Sequence, residues 1–190
     1  MNRERRQMRS VSSAFQTREE DGDLFIEGYF SVFHTDYELW PQATESVAPG
    51  AFADTLGEDI RALVDHESRL VLGRNKAGTL ELREDSHGLW GRVKINRSDS
   101  DAMNLYERVR RGDVDQCSFG FDILSEDTEY REDGSVHWTI RKVKLYEVSV
   151  VTFPAYEETS VSARRRDLEE IEKRKKEAWR ETMRKKVRGE

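Results

Sequence analysis

The sequence predicts a mainly β fold of the α+β class over residues 23–163, an antiparallel β-barrel or sandwich with a few surrounding helices. Runs rich in aromatic and β-branched residues recur along this stretch, and polar clusters containing glycine, such as residues 85–88 and 131–135, separate them. Gly28, inside the first run, indicates a bulge or a close backbone approach. The predicted strands span residues 24–33, 60–64, 70–74, 79–83, 89–95, 116–123, 138–143 and 145–153.

Helix signals are few in this region. The pair Ser98-Asp99 can cap a helix that Gly112 would close, because a short polar side chain satisfies the first N–H groups and glycine accepts a left-handed backbone. A second, short helix is predicted at residues 52–56. The polar stretch 34–47 is predicted as a long loop.

Charge divides the chain into an acidic body with basic ends. Of its 190 residues, 37% are charged, and the formal net charge is −6. Residues 1–9 carry +3 and residues 164–190 carry +5, so residues 10–163 carry −14. We predict a mobile N-terminal arm over residues 1–22 and a charged helical tail over residues 164–190 with a narrow apolar stripe.

Composition also limits the classes of partner. An acidic body argues against nucleic acid as the main ligand, because phosphate binding needs a basic surface. The single cysteine excludes an intramolecular disulfide framework and suits a reducing cytoplasm. Neither a metal-ligand spacing nor a phosphate-binding glycine loop is present, so no metal or other cofactor is expected. Without an apolar run of membrane-spanning length, we expect a soluble, intracellular protein that does not bind membranes.

Three polar residues, each in or at the end of a predicted strand, form a candidate site. The alternating run 117–123 places Phe119 and Phe121 on one face and Ser118 on the other. His66 ends an earlier strand and Glu147 lies in a later one. Acyl transfer by serine needs a hydroxyl nucleophile, a neutral imidazole and a group that orients the imidazole, and these are the right residue types.

Each of these residues also has an ordinary structural interpretation. Ser118 can be an outward-facing strand serine, His66 can cap a strand, and Glu147 can be a solvated strand residue. Cys117 is a rival nucleophile, but it has the opposite parity to Ser118 and is interpreted as a small packing residue. The serine does not lie in a Gly-x-Ser-x-Gly turn, which disfavours an α/β-hydrolase.

The chain resembles the phage prohead (capsid maturation) serine protease family. The resemblance rests on six segments that occur in one order: EGYFSVF at 27–33, VAPGAF at 47–52, LVDH at 63–66, LGR at 72–74, CSFGF at 117–121 and EVSVVTFPA at 147–155. That family in turn is similar in fold to the herpesvirus assembly proteases (assemblins), a β-barrel surrounded by helices. The resemblance therefore implies a herpesvirus-protease-like barrel for residues 23–163.

The resemblance also implies roles for the candidate residues. His66 would be the general base, Ser118 the nucleophile and Glu147 the third member. Asp65 competes for the third position, although neighbours on a strand point to opposite faces. A backbone N–H near Ser118, or an arginine such as Arg74, would serve as oxyanion donor.

The family role implies partners and a location. Such a serine endopeptidase is packaged inside the immature capsid, the prohead, in the host cytoplasm, and it cleaves the scaffold segment of the major capsid protein and itself. The charged tail would suit recruitment to scaffold, and a homodimer is expected by analogy with the herpesvirus enzymes. The alternatives are a non-catalytic scaffold-binding assembly module on a protease-like barrel and a packaging factor that binds DNA through its basic ends.

Overall fold

Alternating apolar and polar side chains produce a mainly β structure in the part of the chain that this computed structural model describes. That part comprises residues 7–12 and 15–153, together with isolated positions between 165 and 184. All the described strands lie in the first of two compact units, Met1–Tyr156 and Glu157–Glu190. The elements are β1 (Gln7–Ser12), β2 (Gln16–Glu20), β3 (Asp23–Val32), β4 (Tyr37–Trp40), β5 (Ala43–Val47), β6 (Arg61–Val64), β7 (Glu67–Arg74), a 3-10 turn (Asn75–Ala77), β8 (Leu80–Glu84), β9 (Gly88–Ile95), α1 (Ser100–Arg111), β10 (Gln116–Tyr130) and β11 (Val136–Val151).

The strands form two sheets. The larger has seven strands in the order β1-β10-β11-β5-β4, with β6 paired to β11 and β7 paired to β6. The smaller has four strands in the order β2-β3-β9-β8, all of them antiparallel. β11 is the organising strand of the larger sheet, because it pairs with β10 along one edge and with both β5 and β6 along the other.

The prediction of a closed, fully antiparallel barrel is wrong. Residues 136–140 of β11 pair with β5 and residues 147–150 pair with β6, and both pairings are parallel. One edge of β11 therefore pairs first with β5 and then with β6, and the sheet branches between them. Among the described strands neither sheet returns to its own first strand, so both sheets are open.

One apolar cluster joins both sheets and α1. Its largest members are aromatic: the rings of Phe52 and Phe119 lie 5.5 Å apart edge to face, and Phe119 and Phe121 stack at 4.8 Å. Cys117 belongs to this cluster, and its thiol donates to the Tyr29 carbonyl at 3.2 Å. Each fully buried aromatic side chain contributes roughly 1.5–3 kcal/mol relative to exposure. The cluster confirms Cys117 as a packing residue.

The helix and the strand glycine follow the prediction. The Asp99 carboxylate caps α1 by accepting the N–H groups of Asp101 and Ala102, and Gly112 ends the helix in the left-handed conformation with φ 80°. At Gly28 the β3 backbone passes so close to Phe15 that a Cβ would lie 2.9 Å from the ring. The predicted close approach at this glycine is therefore confirmed.

Three segments differ from the prediction. Residues 52–56 form turns instead of a helix, and the loop predicted at 34–47 contains β4 and β5. In the arm predicted for residues 1–22, β1 pairs with β10 and β2 pairs with β3. A mobile arm is therefore wrong for these two strands.

Burial of a charged pair explains why the sequence pattern does not predict β1 and β5. Arg9 of β1 and Glu45 of β5 have fully buried side chains, and the guanidinium donates to both carboxylate oxygens. Its carbon also lies 5.7 Å from the centre of the Phe121 ring. Charged residues predict exposed segments unless a partner is known, because burying an unpaired charge is costly.

The tail unit is described only at isolated positions, and each of them is helical. A continuous charged helix over residues 164–190 stays a prediction. The side chains of Trp179 and Met183 are exposed there. Within the described residues no helix is long and apolar enough to span a membrane.

Candidate active site

His66 lies on the two-residue turn that joins β6 to β7. Val64 and Glu67 pair across the turn, and the two residues between them, Asp65 and His66, have φ values of 46° and 61°. Positive φ at both central residues is the type I′ pattern, which matches the twist of a hairpin and favours Asn-Gly or Asp-Gly. The turn thus holds the imidazole at a rigid strand end.

Asp65 secures this turn to the end of β11. Its backbone N–H donates to the Val150 carbonyl at 3.0 Å, and its carboxylate accepts the Thr152 N–H at 2.7 Å and the Thr152 hydroxyl at 3.2 Å. Both carboxylate oxygens are therefore engaged with Thr152. Of the two acids that compete for the position behind the imidazole, Asp65 is occupied elsewhere.

Glu147 is the acid that contacts the imidazole. His66 Nδ1 lies 2.7 Å from Glu147 Oε1, and the Ser149 hydroxyl donates to Oε2 at 2.6 Å. An ionised carboxylate only accepts hydrogen bonds, so Nδ1 carries the proton and Nε2 is left as the basic nitrogen. The Glu147 side chain is 3% exposed, so the contact is shielded from water.

Strand register places Ser118 on the same face as these groups. In the β10–β11 ladder Ser118 is opposite Ser149, and Gly120 is opposite Glu147. Directly opposed residues share a face, as do residues two apart on one strand. Ser118, Glu147 and Ser149 therefore point to one side of the sheet, and Phe119 lies in the core on the other, as the alternation predicts.

Ser118 is more enclosed than its interpretation as an outward-facing serine implies. Its exposure is 0%, and within the described residues neither Ser118 Oγ nor His66 Nε2 has a hydrogen-bond partner. The structure thus joins His66 to Glu147 but does not join Ser118 to His66. Buried polar atoms are nearly always satisfied, so two orphaned atoms with complementary chemistry are unusual.

Arg74, an expected oxyanion donor, is engaged elsewhere. It donates to both oxygens of Asp59, from Nε at 2.6 Å and from the terminal nitrogen at 2.7 Å. These hydrogen bonds hold the pKa of Asp59 below its ordinary value and raise the pKa of the guanidinium. Arg74 is therefore tied to a structural carboxylate.

A second histidine–hydroxyl cluster lies near the start of β11. His137 Nδ1 contacts Thr44 Oγ1 at 2.7 Å, and its Nε2 contacts Ser46 Oγ at 2.9 Å. His137 and Ser46 are both buried. Unlike His66, His137 has both ring nitrogens satisfied by neutral hydroxyl groups. No set of three or more potential metal ligands occurs in the described part of the chain.

Comparison with known proteins places the chain in a family. The model of the caudovirus prohead serine proteases matches residues 13–174. The chain belongs to this family. It is 30% identical over 143 residues to the prohead protease of Enterobacteria phage HK97, a match that includes 73% of this chain and 59% of that relative. It therefore spans about three fifths of the length of the curated relative.

The fold of this chain was also compared with solved structures. The bacteriophage T4 capsid assembly protease aligns with a TM-score of 0.49 and 13% sequence identity, over 78% of this chain and 99% of that chain.

Sequence reasoning passed over one member of the site, Ser149. Its signal was available, because Ser149 follows Glu147 by two positions on a predicted strand and must share its face. A serine beside a buried acid is too common to single out without knowing which strands pair. The register with Ser118 supplies that knowledge.

Proposed function

We propose that this chain is a serine endopeptidase in which Ser118 is the nucleophile, His66 the general base and Glu147 the group that orients the imidazole. One observation carries the proposal: Glu147 holds Nδ1 of His66 at 2.7 Å, and this leaves Nε2 buried and unpartnered within the described residues. A buried basic nitrogen on the sheet face of an unpartnered serine hydroxyl is the arrangement that acyl transfer requires.

The first step forms the acyl-enzyme. Ser118 Oγ attacks the scissile carbonyl carbon while its proton passes to His66 Nε2, and the carbonyl π electrons move onto oxygen. The imidazolium then gives the same proton to the leaving amine as the C–N bond breaks, so Ser118 carries an ester. Glu147 stabilises the imidazolium that exists between the two transfers.

The second step releases the new carboxyl end. Water attacks the ester carbon and gives one proton to His66 Nε2, and the tetrahedral intermediate collapses with loss of Ser118 Oγ, which takes that proton back. The hydroxyl and the imidazole must come within hydrogen-bond reach for either step. Catalytic hydrogen bonds are often long in the free enzyme and tighten when substrate binds, so rotation of Ser118 or a small movement of the turn would complete the contact.

The substrates and location follow from the family. The proposed targets are the scaffold segment of the major capsid protein and the chain itself, cleaved inside the prohead in the host cytoplasm. The tail over residues 164–190 is proposed to recruit the enzyme to scaffold, and a homodimer and kinship with the assemblin fold stay predictions. A sedimentation experiment at micromolar concentration tests the dimer.

Replacement of the nucleophile tests the activity. Ser118→Ala co-expressed with capsid protein should leave the scaffold uncleaved while the variant stays folded. Ser46→Ala is a control for the loss of a buried serine hydroxyl, because Ser46 is also buried and its hydroxyl contacts His137. Normal processing by Ser118→Ala, or loss of processing in Ser46→Ala at unchanged stability, would sink the assignment.

One observation favours a second candidate, a scaffold-binding assembly module without catalysis. Ser118 is fully buried and makes no hydrogen bond to His66 in the described structure, as in a protein that keeps the framework but not the activity. A serine-directed phosphonate separates the two. Covalent modification mapped to Ser118 supports the protease, and an unmodified protein that still binds scaffold supports the module.

A further inference from the structure

The hydroxyl of Ser149 makes a hydrogen bond that the three proposed roles do not use. It donates to Oε2 of Glu147 at 2.6 Å, while Oε1 of the same carboxylate contacts His66. Each oxygen thus has its own partner. A carboxyl group on glutamate turns easily, because its terminal torsion is broad and has no sharp staggered minima. One partner on each oxygen fixes the plane of the group.

The backbone around Ser149 is held on both sides. It pairs with Ser118 of β10 on one edge and with Leu63 of β6 on the other. The side chain is 0% exposed, so water does not compete for the hydroxyl. The donor is therefore placed by the central strand of the sheet, which is the most constrained kind of position for a supporting group.

We propose that Ser149 is a positioning residue that acts through Glu147 on His66. This inference rests on the proposed function. Without the Ser149 hydroxyl, Oε2 would be a buried carboxylate oxygen with one fewer donor, and the carboxylate would be free to leave the plane of the imidazole. His66 would then populate the tautomer with the proton on Nε2, in which it cannot accept a proton from Ser118.

The expected kinetic effect concerns turnover. Ser149→Ala should lower kcat about 10-fold to 100-fold, which is the range for losing one buried hydrogen bond to a charged group, with little change in KM. Ser149→Thr keeps the hydroxyl and should restore most of the rate. Ser149→Cys keeps the shape with a weak donor, so it provides the test if the alanine variant does not fold.

Two further measurements separate positioning from a general structural role. The ¹⁵N chemical shifts of His66 should show a mixture of tautomers in Ser149→Ala and a single Nδ1–H tautomer in the parent and in Ser149→Thr. A double-mutant cycle with Glu147→Gln should show a smaller effect of Ser149→Ala on kcat in that background, since the residue acts through the carboxylate that this change removes.

The outcomes are distinct. A rate for Ser149→Ala within twofold of the parent, or an equal loss in the Glu147→Gln background, would overturn the role of Ser149 while Ser118→Ala remained inactive. Cleavage by Ser118→Ala would instead overturn the proposed function itself. Ser46→Ala is the control for removing a buried hydroxyl beside a histidine, and this variant should keep kcat. Ser46 contacts His137, which lies about 30 Å along β11 from Glu147.

Discussion

Glu147→Gln is the sharpest test of the proposed site, because the side chain keeps its size and loses its charge. The carboxylate now accepts from His66 at 2.7 Å and from Ser149 at 2.6 Å. An amide has one oxygen and one NH2 group, so it can accept from only one of them. It must place its NH2 group against either the imidazole or the hydroxyl.

The expected loss follows from these two orientations. With the amide oxygen facing His66, the tautomer is kept but the imidazolium loses a charge-assisted hydrogen bond, which costs about 1.5–3 kcal/mol, or about 10-fold to 150-fold in kcat. With the NH2 group facing His66, Nδ1 must accept and Nε2 carries the proton. That tautomer is inactive as a base, and the analogous Asp→Asn change in a serine protease triad lowers kcat about 10⁴-fold. We expect a loss between these limits.

The assay is the rate of phosphonate modification of Ser118, measured together with cleavage of capsid protein and thermal unfolding. Asp65→Asn is the matched control, since asparagine also accepts a left-handed backbone and the Asp65 carboxylate contacts Thr152, away from the imidazole. It should lower the unfolding temperature. The modification rate should stay within about tenfold of the parent's rate, which corresponds to a change of at most about 1.4 kcal/mol in the activation free energy.

The reasoning would be refuted by either of two results. One is a modification rate for Glu147→Gln equal to that of the parent. The other is a loss in Asp65→Asn as large as the loss in Glu147→Gln at comparable stability, which would make Asp65 the acid behind the imidazole.

Three further predictions concern stability. Arg9→Met should destabilise the protein by about 3–5 kcal/mol in urea unfolding, because it removes the guanidinium that pairs with the buried Glu45 carboxylate. Glu45→Leu should recover much of the loss, and a cost below about 1 kcal/mol would contradict the contribution of the buried pair. Burial raises the pKa of Tyr37 to about 12, so the phenol contributes stability that is fully present below pH 10 and is lost as the pH rises through 12, by up to about 3 kcal/mol. The free energy of unfolding of Tyr37→Phe should lack this decline, and identical pH profiles of the two proteins would count against it. Asp99→Ala removes the cap of α1 and should cost about 1 kcal/mol, whereas Asp99→Asn should cost less, and equal effects of the two would show that the cap is not the cause.

Local pattern was enough to predict much of this fold. β3, the hairpin of β8 and β9, and the capped helix α1 carry their signals within a few residues. Asp99 and Gly112 are favoured at helix ends for reasons that need no tertiary context. The opposite parity of Ser118 and Phe119 also follows from the two-residue period of a strand, and the ladder confirms it.

Long-range pairing could not be predicted in the same way. Arg9 and Glu45 each indicate an exposed segment, but in the fold their side chains pair across 36 positions and both are buried. The choice between Asp65 and Glu147 also depends on which partner each carboxylate meets. Sequence parity favoured Glu147, but the occupation of Asp65 by Thr152 becomes visible only in the fold.

At the turn that carries His66, the residue that the backbone conformation prefers differs from the residue that the proposed chemistry needs. At φ 61° a glycine would be less strained than a histidine, and glycine is the residue that this kind of turn prefers at its second central position. Selection for a more stable hairpin would therefore remove the imidazole. Thermostable variants of this chain should be sought among substitutions distant from β6 and β7, since within the turn stability and proton transfer call for different residues.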